Sequence, residues 1–193
     1  MTTANKVTIF RILLIPAFIV EVLYYFKQGD ENDRIAGLLC FAVTAILDGV
    51  DGYIARRYNQ RSELGAILDP LADKLLLVSG IVLLSLPAGR PYVKTIPLWL
   101  TATIISRDVV QLIGFTLLQL ICGKVTVRAR MVGKIATVLQ MILVLWTLLK
   151  WNEKWLPYWV MSTGIFTAIS GLLYVLDGMA QLSASPRSSA TAK

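Results

Sequence analysis

The residues best placed to do chemistry are four aspartates. Asp48 and Asp51 stand three residues apart, and Asp69 and Asp73 stand four apart. On a helix either spacing puts both carboxylates of a pair on one face. The stretches around them are apolar, and a charge at membrane depth costs on the order of 2.5–3.5 kcal/mol on insertion scales, so such a residue normally faces a polar cavity and serves a function. Carboxylates gathered in one pocket repel one another unless cations are present. Hard oxygen donors, in a chain without histidine, select Mg²⁺, Mn²⁺ or Ca²⁺ over zinc. A pair of divalent ions would neutralise the four carboxylates and leave coordination positions for a phosphate. The plainer alternative is a set of separate ion pairs, with Lys74 and Arg56 as partners. Two pairs at helical spacing favour one shared role.

Elements that could position these residues follow from composition. Hydrophobic residues make up 56% of the chain and charged residues 16%, against about 25% charged in soluble domains. Apolar runs of spanning length recur throughout, and a bilayer core needs roughly 20 apolar residues per helix. The pattern predicts an all-α, polytopic membrane bundle of six transmembrane helices over 9–26, 35–57, 64–86, 96–122, 133–151 and 157–182. The first segment can begin as an interfacial helix, since Lys6 and Arg11 flank its start; with Arg11 inside it and no small-residue cleavage site after it, it reads as a span rather than a leader. Breakers divide the runs: a polar loop from Gly29 to Arg34, a Gly/Pro-rich stretch from Pro87 to Pro97, a basic gap from Cys122 to Lys134, and Pro157 after a charged gap. Residues 1–182 are expected to form the membrane domain and 183–193 a disordered tail. Cys40 and Cys122 sit in apolar runs and read as inert thiols.

The net charge of +7 does not point to nucleic acid, because the basic residues sit in short gaps between apolar runs instead of interleaving with aromatics on a wet face. They read as topology determinants. With an even number of spans, one side holds Lys6, Arg11, Arg56, Arg57, Arg61, Lys124, Arg128, Arg130, Lys134, Arg187 and Lys193. The other holds Lys27, Arg34, Arg90, Lys94, Lys150 and Lys154. The more basic side is cytoplasmic by the positive-inside rule, which places both termini and the 57–64 loop there. That short loop lets the second and third helices pack antiparallel, with both aspartate pairs near one membrane surface. Glu21, Asp108 and Asp177 are the other acids inside predicted spans; Glu21 and Asp177 read as polar residues at helix interfaces.

The stretch from Asp48 to Asp73 reads DGVDGYIARRYNQRSELGAILDPLAD. It fits D-x₂-D-G-x₂-A-R-x₈-G-x₃-D-x₃-D at every fixed position and resembles the signature of the CDP-alcohol phosphatidyltransferase family. Eight specified residues at roughly 5–10% frequency each would coincide by chance about once in 10⁹ placements. The resemblance implies a membrane enzyme of phospholipid synthesis with a site for two ions, Mg²⁺ or Mn²⁺, that clamps the diphosphate of CDP-diacylglycerol. It implies Asp48, Asp51 and Asp69 as metal ligands, and Asp73 as general base for the acceptor hydroxyl that also touches a metal. Gly52 would let substrate approach the helix backbone, and Arg56 would grip phosphate bidentately. Ala55 and Gly65 would keep the helix faces narrow. Ser62 would contact the CDP moiety, or cap the third helix, or do both. Arg57 and Arg61 read as topology charges. A homodimer in a bacterial cytoplasmic membrane is the assembly the resemblance implies.

The acceptor alcohol is read from other positions. Asn5, Thr8 and Arg11, the following LLIPAFI, and Gly133-Lys134 with Thr137 and Gln140 resemble family members whose acceptor is glycerol 3-phosphate. Ser106-Arg107-Asp108-Val109 resembles instead the members whose acceptor is phosphatidylglycerol. Phe115 and Ala136 stand where the first group usually carries a further Arg and Lys. Arg107 and Lys134 are the candidate acceptor-binding cations; an internal ion pair for Arg107, and a topology charge for Lys134, are the alternatives. Glycerol 3-phosphate is the reading taken, with phosphatidylglycerol as the alternative. A cation transporter would also place carboxylates in a bundle, but would not need Gly52, Ala55-Arg56 and Gly65 in register.

Overall fold

The computed structural model describes residues 3–57, 63–89, 91–122 and 131–183, with side chains described for 9–48, 72–89, 91–114, 116 and 131–179. These residues form six α-helices: α1 (Thr3–Gln28), α2 (Glu31–Arg57), α3 (Glu63–Ser85), α4 (Leu98–Cys122), α5 (Met131–Leu148) and α6 (Leu156–Ser183), with one 3₁₀ turn at Pro87–Gly89. The expected all-α class is what the structure shows. Within them Ile9–Gln28, Met131–Leu148 and Leu156–Met179 are long and apolar enough to cross a membrane. Large apolar side chains such as Leu13, Ile46, Leu112, Val138 and Leu172 lie on the outside. Apolar surface of this extent is stable against lipid rather than water. The expected disordered tail lies outside the described residues apart from Ser183.

Two compact units divide the chain, residues 1–96 with 141–156, and residues 97–140 with 157–193. In the first, α1 packs against α2 and α3, around a core that includes Phe18, Val22, Phe41, Leu76, Ile81 and Leu143. Gly80 admits Val144, whose Cγ1 would lie 3.1 Å from an added Cβ. In the second, Leu100, Ile104 and Val160 are buried, and Tyr174 Oη donates to the Gln111 carbonyl at 2.9 Å.

The polar stretch from Gly29 to Arg34 is not a loop. Only Gly29 and Asp30 separate α1 from α2. Gly29 takes φ 76°, the left-handed conformation that closes a helix, and an added Cβ would lie 2.6 Å from the Tyr92 ring. Asp30 Oδ1 then accepts from Asn32 N at 3.0 Å, an N-cap bond, and Glu31 and Asp33 lie in the first turn, where the helix dipole favours acids. Local caps therefore extend α2 beyond its apolar run.

The C-terminal end of α5 shows the opposite shift. The helix stops at Leu148, short of the expected 151, because Arg34 Nη1 donates to the Leu148 carbonyl and Lys150 turns to φ 51°. That conformation costs a residue with a side chain roughly 1–2 kcal/mol. It is held by the Lys150 Nζ–Glu31 Oε1 pair at 2.6 Å and by the ammonium lying 5.3 Å from the Tyr25 ring centre. The hydrogen bond from Lys150, then that from Arg34, hold the Glu31 carboxyl below its usual pKa. The bond to Glu31, then that to Tyr25, push the Lys150 ammonium above its usual value.

Candidate active site

Antiparallel register between α1 and α2 determines what Asp48 meets. Phe18 and Phe41 pack with ring centres 5.4 Å apart. Four residues further along α1, and four back along α2, Gly37 lets Val22 approach, with Cγ2 3.0 Å from the place of an added Cβ. Seven residues in the opposite direction, two helical turns on each helix, the same seam brings Arg11 to Asp48. Arg11 Nη2 lies 2.7 Å from Asp48 Oδ1, with the arginine side chain 0% exposed and the aspartate 37% exposed. Charges removed from water need a partner of this kind. Arg11 is thus buried between α1 and α2. Among the described residues the partner of Asp48 is Arg11, a residue not weighed for that role from the sequence.

The remaining motif positions lie on the same two helices. Asp51, Gly52, Ala55 and Arg56 occupy the last turns of α2, which ends at Arg57, and Gly65 and Asp69 the first turns of α3, which begins at Glu63. Their side chains lie outside the described residues, as does Ser62 altogether. Asp73 and Lys74 are half-buried further along α3. Both aspartate pairs accordingly stand in the halves of α2 and α3 nearer the 58–62 connection, Asp51 and Asp69 within two turns of it and Asp48 and Asp73 deeper along each helix, and α2 packs against α3. Among the described residues no three acidic, His or Cys side chains gather as a metal site; of the four aspartates, only Asp48 and Asp73 have described side chains. The donor chemistry suits a hard divalent ion. Asp48 is anchored on one oxygen and still more than a third exposed, and a carboxylate offers about four lone-pair sites, so it can ligate while held.

A second polar cluster lies on α4, α5 and α6. Arg107 is buried, and its Nη1 donates to Asp108 Oδ1 at 2.8 Å, with side chains 6% and 14% exposed. Its Nη2 donates to Ser170 Oγ at 3.0 Å. Nε is buried with no hydrogen-bond acceptor among the described residues. Lys134 is exposed near the start of α5. The two candidate acceptor cations thus differ: one is fixed inside the helix cluster, the other is open. Thr137 returns its hydroxyl to the Gly133 carbonyl at 3.1 Å, and Gln140 Nε2 donates to Thr167 Oγ1 at 3.2 Å.

Against known proteins, residues 1–170 match the family model of CDP-alcohol phosphatidyltransferases. The chain belongs to that family. Relatives bear this out over most of their length. A protein of Bacillus subtilis (strain 168) named CDP-diacylglycerol–glycerol-3-phosphate 3-phosphatidyltransferase is 38% identical over 148 residues, 72% of either chain. Proteins of the same name from Escherichia coli (strain K12) and Salmonella typhimurium (strain LT2) are 33% and 32% identical over 175 residues, covering 90% of this chain and 88% of theirs. With its apolar helices, the chain is an integral membrane protein. Two of these contacts escaped sequence reasoning, that of Arg11 with Asp48 and that of Ser170 with Arg107. Arg11 had one usable signal, a guanidinium inside an apolar run that needs an acid at matching depth. Ser170 had none.

Proposed function

We propose that the protein transfers a phosphatidyl group from CDP-diacylglycerol to glycerol 3-phosphate, releasing CMP. The observation that carries this reading is the two aspartate pairs on the consecutive helices α2 and α3, in a chain matching the family over residues 1–170. The names of the relatives support the donor and the acceptor.

Asp48, Asp51, Asp69 and Asp73 would hold two divalent ions, Mg²⁺ or Mn²⁺. Bound there, the ions supply charge neutralisation for the diphosphate and for the leaving CMP. Arg11 fixes the carboxylate of Asp48. Asp73 accepts the proton of the acceptor hydroxyl as its oxygen bonds to the diacylglycerol-linked phosphorus. The bond from that phosphorus to the bridging oxygen breaks, and CMP departs with the electron pair. Gly52, Ala55 and Gly65 keep the helix faces narrow for the donor, Arg56 grips its phosphate, and Ser62 contacts the cytidine diphosphate. Arg107 and Lys134 are the cations offered to the acceptor. α2, α3 and α4 complete six spans, with termini and site on the cytoplasmic side of a bacterial membrane and the chain in a homodimer; the charge distribution and the family resemblance support this.

Ser106-Arg107-Asp108-Val109, with Phe115 and Ala136, favours a second reading in which phosphatidylglycerol is the acceptor. Purified protein given CDP-diacylglycerol, a divalent ion and a panel of acceptors distinguishes the two by lipid mass spectrometry. Phosphatidylglycerophosphate is expected. Cardiolipin, with glycerol 3-phosphate untouched, would replace the first reading by the second.

A further inference from the structure

Arg107 occupies space that its neighbours make by lacking side chains. A Cβ added at Gly133 on α5 would stand 3.2 Å from Arg107 Nη2 and 3.3 Å from Ser170 Oγ. One added at Gly171 on α6 would stand 3.3 Å from Arg107 Cγ. Both distances are tighter than ordinary van der Waals contact, so either methyl would displace the guanidinium or its stem. Ser170, buried beside Gly171, supplies the only acceptor among the described residues that reaches Nη2 from another helix. Asp108 holds Nη1. The side chain is therefore threaded between two glycines and pinned at both terminal nitrogens, while the buried Nε meets no acceptor among the described residues. An unsatisfied donor on a buried charged group is costly, and an anionic oxygen is the chemistry that would satisfy it.

We propose that Gly133, Ser170 and Gly171 form a socket that fixes the Arg107 guanidinium, and that this socket sets the protein's affinity for the anionic phosphate of its acceptor. The inference rests on the proposed acceptor role of Arg107. Gly133, Ser170 and Gly171 are positioning residues: they act on the acceptor only through the arginine. A planar fork binds phosphate well only when its orientation is held, so loosening it weakens acceptor binding and leaves donor binding alone.

The test measures KM for glycerol 3-phosphate and for CDP-diacylglycerol separately. The variants are Ser170→Ala, Gly133→Ala and Gly171→Ala, each alone and combined with Arg107→Gln, and thermal unfolding of each is followed in parallel. Ser170→Ala and Gly133→Ala are expected to raise the acceptor KM about tenfold, the scale of one hydrogen bond to a charged group, with the donor KM unchanged. In the Arg107→Gln background these changes should have no further effect, because residues acting through one group are non-additive. Full additivity, or equal rises in both KM values, would overturn the socket and leave a merely structural role. Should Arg107→Gln raise the acceptor KM while all three socket variants leave it unchanged, the socket fails but the arginine's role stands. Should Arg107→Gln itself leave the acceptor KM unchanged, the acceptor role of Arg107 fails, and the socket with it. Gly171→Ala, which meets only the arginine stem, keeps the test decisive if Gly133→Ala does not fold.

Discussion

Each compact unit carries an arginine–aspartate pair, and the two pairs are built in opposite senses. In the first, Arg11 is fully buried while Asp48 is 37% exposed, and the partners come from different helices. In the second, Arg107 and Asp108 are sequence neighbours, both largely buried, and the guanidinium is further tied to Ser170. A buried pair costs desolvation that its attraction seldom exceeds, so neither is explained by stability alone. The difference lies in which member keeps something to offer. Asp48 is held on one oxygen and retains an exposed carboxylate, suited to a cation. Arg107 is held at both terminal nitrogens, and its Nε has no acceptor among the described residues, which suits it to an anion. On the proposed function, the arginine of one pair supports a metal-holding aspartate, and the aspartate of the other supports an acceptor-binding arginine.

The comparison breaks most visibly at the carboxylates. Asp51→Asn and Asp69→Asn should each bring CMP release to background while the protein remains folded, because divalent-metal activation supplies several kcal/mol; Asp48→Asn should do the same and also lower stability, since it leaves the buried Arg11 without its counter-charge. Any of these variants keeping more than about a tenth of the wild-type rate would contradict a shared metal set. Asp73→Asn should cost roughly 10²–10⁴ in rate, the usual contribution of a general base, with metal-dependent binding of CDP-diacylglycerol preserved. A normal rate would remove the base, and loss of donor binding would make Asp73 chiefly a ligand.

Within the second pair the order should reverse. Arg107→Gln is expected to raise the acceptor KM roughly 10–150-fold, the worth of a lost charge-assisted hydrogen bond. Asp108→Asn, which keeps a hydrogen-bond acceptor beside Nη1, should raise it less. A larger effect at Asp108 than at Arg107 would erase the contrast between the pairs. Arg11→Gln tests the supporting role in the first pair through stability. Since Asp48 is partly exposed, the loss should be about 1–3 kcal/mol, below the cost of breaking a fully buried pair, and denaturant unfolding in detergent would measure it.

The smallest effect belongs to the exposed Glu31–Lys150 pair, outside the spanning segments. The Glu31 carboxyl is held below its usual pKa, so its contribution is present at neutral pH and is lost as pH falls through that lowered value. The Lys150 ammonium is pushed above its usual pKa, so its contribution holds at neutral pH and is lost as pH rises through the raised value. Glu31→Gln should therefore lower the Tm slightly at neutral pH, and the gap to the wild type should close in acid.

Much of this was legible because lipid leaves few options. Apolar runs placed five of the six helices to within four residues at either end, while α1 begins at Thr3, six residues before the expected start. Glu31 to Arg34 read as loop by polarity, yet Asp30 caps the helix and Arg34 and Glu31 tie to the end of α5, contacts no local pattern encodes. The aspartate motif was visible because its spacing is helical and its residue types rare in apolar surroundings. Arg11 as the partner of Asp48 was hidden because it depends on the register of α1 against α2, set by Phe18, Phe41 and Gly37. Ser170 was hidden more deeply: a serine in an apolar helix is ordinary, and its importance comes only from what α4 sets beside it.

The central claim is that the aspartates of α2 and α3 use a divalent ion to move a phosphatidyl group onto glycerol 3-phosphate. The most direct measurement follows CMP and lipid product together from the purified protein in vesicles containing CDP-diacylglycerol, with glycerol 3-phosphate outside and inside. It is run with Mg²⁺, with chelator, and with Asp48→Asn. The account predicts matched amounts of CMP and phosphatidylglycerophosphate with Mg²⁺ alone, and neither in the other two arms. CMP release that survives chelation, or that survives Asp48→Asn, would contradict it.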